Sequence, residues 1–74
     1  MTLGSLRPGD RARVLSIGTQ GALRRRILDM GITPRVVVQL IKVAPLGDPL
    51  ELTVRGYQLS LRKQEASLIE VEII

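Results

Sequence analysis

Histidine and cysteine are both absent from this chain of 74 residues. With them go the commonest catalytic base, the usual imidazole and thiolate metal ligands, and any disulfide framework. A metal site would have to be built from carboxylates and carbonyls. Nucleophile–base pairs such as Ser–His or Cys–His cannot be assembled. Tryptophan and phenylalanine are also missing, and Tyr57 is the single aromatic residue. That removes the stacking platform on which single-stranded nucleic acid is usually held. No apolar run approaches the roughly 20 residues of a membrane-spanning helix. Met1–Leu6 lacks the charged start and long apolar region of a secretory signal. Neither the G-x-x-x-x-G-K-[ST] phosphate loop nor the G-x-G-x-x-G fingerprint occurs. Together these absences lead us to expect a soluble, cytoplasmic protein that is not an enzyme.

What is present is a small basic domain with a net charge of +4. Its size allows one domain, residues 1–74, and a core worth about 3–5 kcal/mol of net stability. Leu6-Arg7-Pro8-Gly9-Asp10 is a turn, followed by a strand over Arg11–Ile17. Ala12 and Val14 point one way along that strand and Leu15 and Ile17 the other, which predicts a bulge. Leu23, Ile27 and Met30 share one helical face, so a helix is predicted from Gly21 to Met30 with Thr19 as N-cap. Gly31 suits the left-handed position after it, with Ile32 packing back on Ile27 in a Schellman arrangement.

Pro34 ends the helix, and Val36–Val43 forms a strand that is apolar on both faces, as expected of one buried on both sides. Leu50–Val54 and Tyr57–Leu61 read as a hairpin around Arg55-Gly56. That register pairs Val54 with Tyr57, Leu52 with Leu59 and Leu50 with Leu61, all on one face. Arg62–Ser67 is a single helical turn. The last strand, Leu68–Ile73, turns Ile69, Val71 and Ile73 inward and Glu70 and Glu72 outward. Five short strands and one helix between the first two predict a mainly β, SH3-like barrel, whose closure hides its edges.

The residues that could carry function are few. Arg24-Arg25-Arg26 is the strongest charge cluster; Arg25 points away from the core stripe, and Leu28 lies well off it. A solvated face is the plain interpretation; a partner surface anchored by Leu28, with Arg24 and Arg25 meeting acidic groups, is the sharper one. Ala44-Pro45-Leu46-Gly47-Asp48-Pro49 is a rigid hairpin connector that presents Leu46 at its tip. Asp48 is expected to bond local backbone there. Ser60 with Lys63 is the nearest thing to a catalytic pair and meets none of the requirements of a site. Glu65, Glu70 and Glu72 are the carboxylates that a hard cation could use, against the simpler view of an outward polar face.

Several of these segments together resemble one family. Leu28-Asp29-Met30-Gly31-Ile32-Thr33-Pro34 is similar to the helix-end motif of the ferrous iron transport protein A (FeoA) family. Val43-Ala44-Pro45-Leu46-Gly47-Asp48-Pro49 resembles that family's central hairpin loop. Leu59-Ser60-Leu61-Arg62-Lys63 and Leu68-Ile69-Glu70-Val71 resemble its closing segments. Leu3, Leu6, Gly9, Ala12 and Val14 fit its opening strand. The resemblance implies an SH3-like barrel related to the C-terminal domain of diphtheria-toxin-repressor-type, iron-dependent regulators. It also implies a small cytosolic accessory of bacterial ferrous iron uptake. The implied partner is the membrane ferrous iron transporter, ferrous iron transport protein B (FeoB), which carries a cytosolic G-protein domain. The accessory would modulate or assemble that system, peripheral to the inner face of the membrane through its partner. No helix-turn-helix region precedes the first strand, which favours the accessory over a repressor.

The family usually has Gly after the proline of the helix-end motif, where this chain has Arg35. Arg at positive φ is costly, so we expect a different turn type there and a positively charged helix exit. The candidate contact residues are therefore Arg24, Arg25, Leu28, Arg35, Leu46 and Asp48. No cofactor is required, although a weak divalent transition metal site, ferrous iron or zinc, is the feature of an alternative metal-responsive module. Weak homo-oligomerisation through an open strand edge is a further expectation; nucleic acid is not an expected partner, a nucleic-acid-binding barrel being the lesser alternative.

Overall fold

Alternation decides the hairpin at the centre of the molecule. In the computed structural model, which describes residues 1–74, β3 (Leu50–Val54) and β4 (Tyr57–Leu61) pair antiparallel. Val54 faces Tyr57, Leu52 faces Leu59 and Leu50 faces Leu61, the register that puts large apolar side chains on one face. Arg55 at φ 51° and Gly56 at φ 86° are both left-handed, which is type I′ geometry and matches the twist of the strands. Leu50, Leu52, Val54 and Leu61 are buried. Tyr57, expected inward, is 47% exposed. Its hydroxyl instead donates to the Met30 carbonyl oxygen at 2.7 Å.

Three more strands, β1 (Arg11–Ile17), β2 (Val37–Val43) and β5 (Ile69–Ile73), complete one sheet in the order β4-β3-β2-β1-β5. The irregularity predicted in β1 is a bulge between Val14 and Ser16 in its pairing with β5. The extra residue lets Ala12, Val14 and Ile17 all reach the core while Leu15 stays outside. Strand β2 corrects an expectation. Val38 and Leu40 are buried, but Val37 and Gln39 are half-buried and Ile41 is exposed. The core lies on one side of the sheet only, and a register shift between Leu40 and Lys42 accompanies the outward turn at Ile41. Ile73 is likewise corrected: it is 51% exposed at the end of β5.

The fold is mainly β and SH3-like, with a single regular helix between β1 and β2, but the sheet is open. Its order ends at β4 and β5, and no ladder joins them. The β5 edge is partly covered. Along β5, the Val71 N–H donates to the Met1 carbonyl at 2.8 Å and Thr2 bridges to Glu70. At β4, the Tyr57 hydroxyl ties the strand to the end of the helix.

That helix, α1 (Gly21–Asp29), buries Ile27 and half-buries Leu23 and Leu28. Its start differs from expectation. Gln20, not Thr19, is the N-cap, and no side chain caps the free amides. Its end is as the residues predict. Gly31 sits at φ 96°. The Ile32 N–H reaches the Ile27 carbonyl at 3.4 Å and the Gly31 N–H the Leu28 carbonyl at 3.0 Å, the two bonds of a Schellman motif. A nine-residue helix is marginal by itself; here Ile27 and Ile32 anchor it in the 17-residue apolar core.

At Arg35 the expectation of a different turn type is corrected. The residue stays at φ 76°. Its N–H donates to the Val14 carbonyl at 2.6 Å, and the Val14 N–H donates to the Val36 carbonyl at 2.9 Å. This extension of the β1–β2 ladder holds Arg35 in the left-handed region against its own preference. The predicted helical turn near the C-terminus is α2 (Lys63–Ala66). No helix of the chain is long and apolar enough to cross a membrane.

Candidate functional site

Helix α1 presents Gly21, Arg24, Arg25, Leu28 and Asp29 around one shallow, open depression of 290 Å³. The spacing i, i+3, i+4, i+7, i+8 places all five on one face. Arg25 is exposed and Arg24 half-buried, and neither has an acidic partner. Leu28 forms the apolar part of the floor. It is not the detached anchor that its place off the Leu23/Ile27/Met30 stripe suggested. It is half-buried and packs against the core cluster, because the Schellman turn folds Ile32 back beneath the helix end. Three of the six candidate residues, Arg24, Arg25 and Leu28, are thus brought together. Gly21 and Asp29 also line the depression and were not singled out; the same helical spacing identifies them.

The other three candidates lie elsewhere. Arg35 is exposed in the α1–β2 turn and has no ion pair. Leu46 is 96% exposed at the tip of the β2–β3 connection. The loop behind it is tightly closed: the Gly47 N–H donates to the Ala44 carbonyl at 2.7 Å and the Ala44 N–H to the Pro49 carbonyl at 3.0 Å. Asp48 does not bond local backbone as expected. Its Oδ1 accepts the Lys63 N–H at 3.0 Å, satisfying a free amide of α2 fifteen residues away. The loop is therefore pinned at its base by a long-range bond, and its Leu46 tip is held out rather than left to collapse.

A second depression, 240 Å³, is lined by Arg26, Pro49, Ser60, Leu61, Arg62 and Glu65. Glu65 lines it and is the one buried charged residue of the chain. Oε1 accepts the Arg62 N–H at 3.0 Å, and Oε2 faces Arg26 Nη1 at 3.2 Å. The carboxylate caps α2 and ties it to α1, which accounts for its burial without any ligand. Glu70 pairs with the Met1 ammonium at 2.8 Å and Glu72 faces Arg13 at 3.7 Å. The carboxylates considered for a cation are thus taken up separately, and no three acidic side chains gather.

Comparison with known proteins places this geometry. A family described as the FeoA domain matches residues 1–73. A curated relative from Porphyromonas gingivalis, an Fe(2+) transport protein A/Fe(2+) transporter FeoB fusion protein, is 38% identical over 74 residues. Those residues are 100% of this chain but only 9% of the fusion's length. The solution structure of iron(II) transport protein A from Clostridium thermocellum matches with a TM-score of 0.97 and 39% identity, over 100% of this chain and 46% of that one. The crystal structure of Stenotrophomonas maltophilia FeoA complexed with zinc matches with a TM-score of 0.84 and 29% identity, over 97% of this chain and 89% of that one.

Proposed function

The chain belongs to the FeoA family, and from that premise we propose that residues 1–74 act as a single accessory module of bacterial ferrous iron uptake. In this role it binds the cytosolic region of the FeoB transporter and modulates or assembles it at the inner face of the membrane. The observation that carries the proposal is the P. gingivalis relative, in which a segment 38% identical to the whole of this chain shares one polypeptide with FeoB. Covalent linkage of two modules raises their effective concentration to roughly millimolar, which favours pairs that must meet repeatedly. The arginine-rich face of α1 is the contact we assign, with Leu28 as its apolar floor and Arg24 and Arg25 meeting acidic groups. Arg35, exposed in the α1–β2 turn, lies outside this depression.

The test is binding of the purified chain to the transporter's cytosolic domain by calorimetry, with the domain's GTP hydrolysis rate measured in parallel. Binding that is lost on charge reversal of Arg24 and Arg25 supports the proposal. Absence of binding at high micromolar concentration, with an unchanged hydrolysis rate, refutes it.

The zinc complex of the S. maltophilia relative motivates one further measurement. The donors of this chain do not fit a tight divalent site, since its carboxylates are dispersed and it has neither histidine nor cysteine. We assign it at most weak surface binding of ferrous iron or zinc. Anaerobic calorimetry that showed micromolar binding would instead favour a metal-responsive module.

A further inference from the structure

Two residues other than glycine adopt a left-handed backbone in this chain, and both are arginines: Arg35 at φ 76° and Arg55 at φ 51°. Glycine, or asparagine in the hairpin turn, would fill these positions with less strain. Both lie at the same end of the sheet. Val38 pairs with Val54 in the β2–β3 ladder, so the turns just beyond that pair, 33–36 and 55–56, adjoin. The Val36 N–H donates to the Thr33 carbonyl at 3.1 Å, which closes the first turn with Pro34 and Arg35 as its central residues. Arg55 Nη2 donates to Thr33 Oγ1 at 3.3 Å and ties the two turns together. That bond uses one of the five donors of the Arg55 guanidinium and orients the rest. Both arginines are exposed, and neither has an ion pair. The side-chain carboxylates are taken elsewhere: Asp10 by the Arg7 amide, Asp48 by the Lys63 amide, Glu51 by Lys42, Glu65 by Arg26, Glu70 by Met1 and Glu72 by Arg13. The remaining one, Asp29, lies with Arg24 and Arg25 in the α1 depression.

We propose that Arg35 and Arg55, with the Thr33 hydroxyl, form a phosphate-binding site. Two guanidinium forks and a hydroxyl donor suit the three oxygens of a terminal phosphate better than the two of a carboxylate. The left-handed strain then has a use: it sets two arginines in adjoining turns whose backbones are fixed by hydrogen bonds to β1 and within the hairpin. The site is open to solvent, so its affinity for a small phosphate is weak, with a dissociation constant of about 1–10 mM. A soluble phosphate and the headgroup of an anionic lipid both present phosphate oxygens to these groups. The site lies apart from the α1 depression and does not depend on transporter binding there.

The experiment titrates the chain alone with sodium pyrophosphate to about 20 mM, a range set by the expected affinity. Amide shifts are followed by NMR at ionic strength matched with sodium chloride, and malonate serves as the dicarboxylate control. Pyrophosphate shifts should saturate and centre on residues 33–36 and 55–56, and malonate should bind at least about threefold more weakly. Two variants are compared, Arg35→Gly and Arg55→Asn. Each puts a residue suited to the turn in place of a left-handed arginine, so urea melts should show both at least as stable as the wild type. Each should weaken pyrophosphate binding at least about fivefold. A merely structural role for the arginines would make stability and binding fall together. Co-sedimentation with phosphatidylcholine vesicles, with and without phosphatidylglycerol, separates the two sources. Pyrophosphate shifts without vesicle binding support a soluble phosphate. Binding that requires phosphatidylglycerol and is lost in both variants supports a lipid headgroup, and both responses together support a site that takes either. Absence of both responses overturns the proposal. So do shifts that centre on Arg24–Arg26 of α1, equal affinity for malonate, or binding that survives both variants.

Discussion

Gly31 offers the sharpest test of how the helix is held on the sheet. It occupies the left-handed position after α1 at φ 96°. A β-carbon built there would overlap the Tyr57 hydroxyl, while the rest of the ring would be in ordinary contact, with Cζ at 3.6 Å. Replacement by alanine therefore has two separable costs. The left-handed backbone conformation costs about 1–2 kcal/mol for any residue with a β-carbon. Displacing the Tyr57 hydroxyl from the Met30 carbonyl, a 2.7 Å bond, costs roughly 1 kcal/mol more. Gly31→Ala should thus lose about 2–3 kcal/mol, a large share of the ~3–5 kcal/mol available to a domain of this size. At roughly 4–8 °C per kcal/mol for 60–100 residues, Tm should fall by about 10–20 °C. Urea melts followed by far-UV circular dichroism give the free energy, and Tyr57 fluorescence reports the contact directly because no other aromatic residue interferes. In a Tyr57→Phe background the hydroxyl is gone, so the same glycine substitution should cost only the backbone term. A coupling of about 1 kcal/mol is expected between the two positions. Additivity within about 0.3 kcal/mol would refute the hydroxyl overlap, and a loss below about 1 kcal/mol in the single variant would refute the left-handed requirement.

Arg35→Gly should stabilise the fold slightly, since relief of about 1–2 kcal/mol of left-handed strain outweighs the ~0.5–1 kcal/mol lost to a freer unfolded chain. A destabilised variant in urea melts would show that the Arg35 side chain makes a contribution unrelated to its backbone. Asp48→Ala should cost about 1 kcal/mol by leaving the Lys63 amide without its acceptor, and hydrogen exchange at Lys63 should accelerate. Glu65→Ala should cost about 1–2 kcal/mol, because the buried carboxylate serves the Arg62 amide as well as Arg26. Arg26→Ala should cost under about 1 kcal/mol in the same melts, because the Arg26 side chain is 64% exposed and its charge is screened. Equal losses for Glu65 and Arg26 would overturn that division.

Local patterns were legible wherever short-range stereochemistry decides the outcome. The β3–β4 register follows from a period of two around Arg55-Gly56, since a slip by one residue would turn Leu50, Leu52 and Leu61 to solvent. The Schellman end of α1 follows from Gly31 and Ile32 standing after the Leu23/Ile27/Met30 stripe. The bulge in β1 is visible as a phase change between Val14 and Ile17. Several features were misjudged for want of a third dimension. β2 reads as buried on both faces, yet Ile41 faces outward because the core lies on one side of the sheet. Tyr57 and Ile73 have the inward phase but lie where the core gives out. Asp48 reads as a local turn residue, yet its acceptor role serves α2. At Arg35, propensity argued against positive φ, and the hydrogen bonds to β1 overrode it.

Lacking histidine and cysteine, the chain is left by its sequence with a surface of arginines and a few carboxylates as its chemistry. Spacing along the chain also determined the helix, the strands and their turns, because each depends on residues within a few positions of one another. The tertiary structure alone decided which of those charges are free. Folding gives Glu65 to α2 and Arg26, Glu70 to the N-terminus and Glu72 to Arg13, while Arg24 and Arg25 are left without partners beside Leu28. That allocation depends on side chains up to 69 residues apart in the chain. No local pattern carries it, since long-range ion pairing is set by where packed elements place their ends.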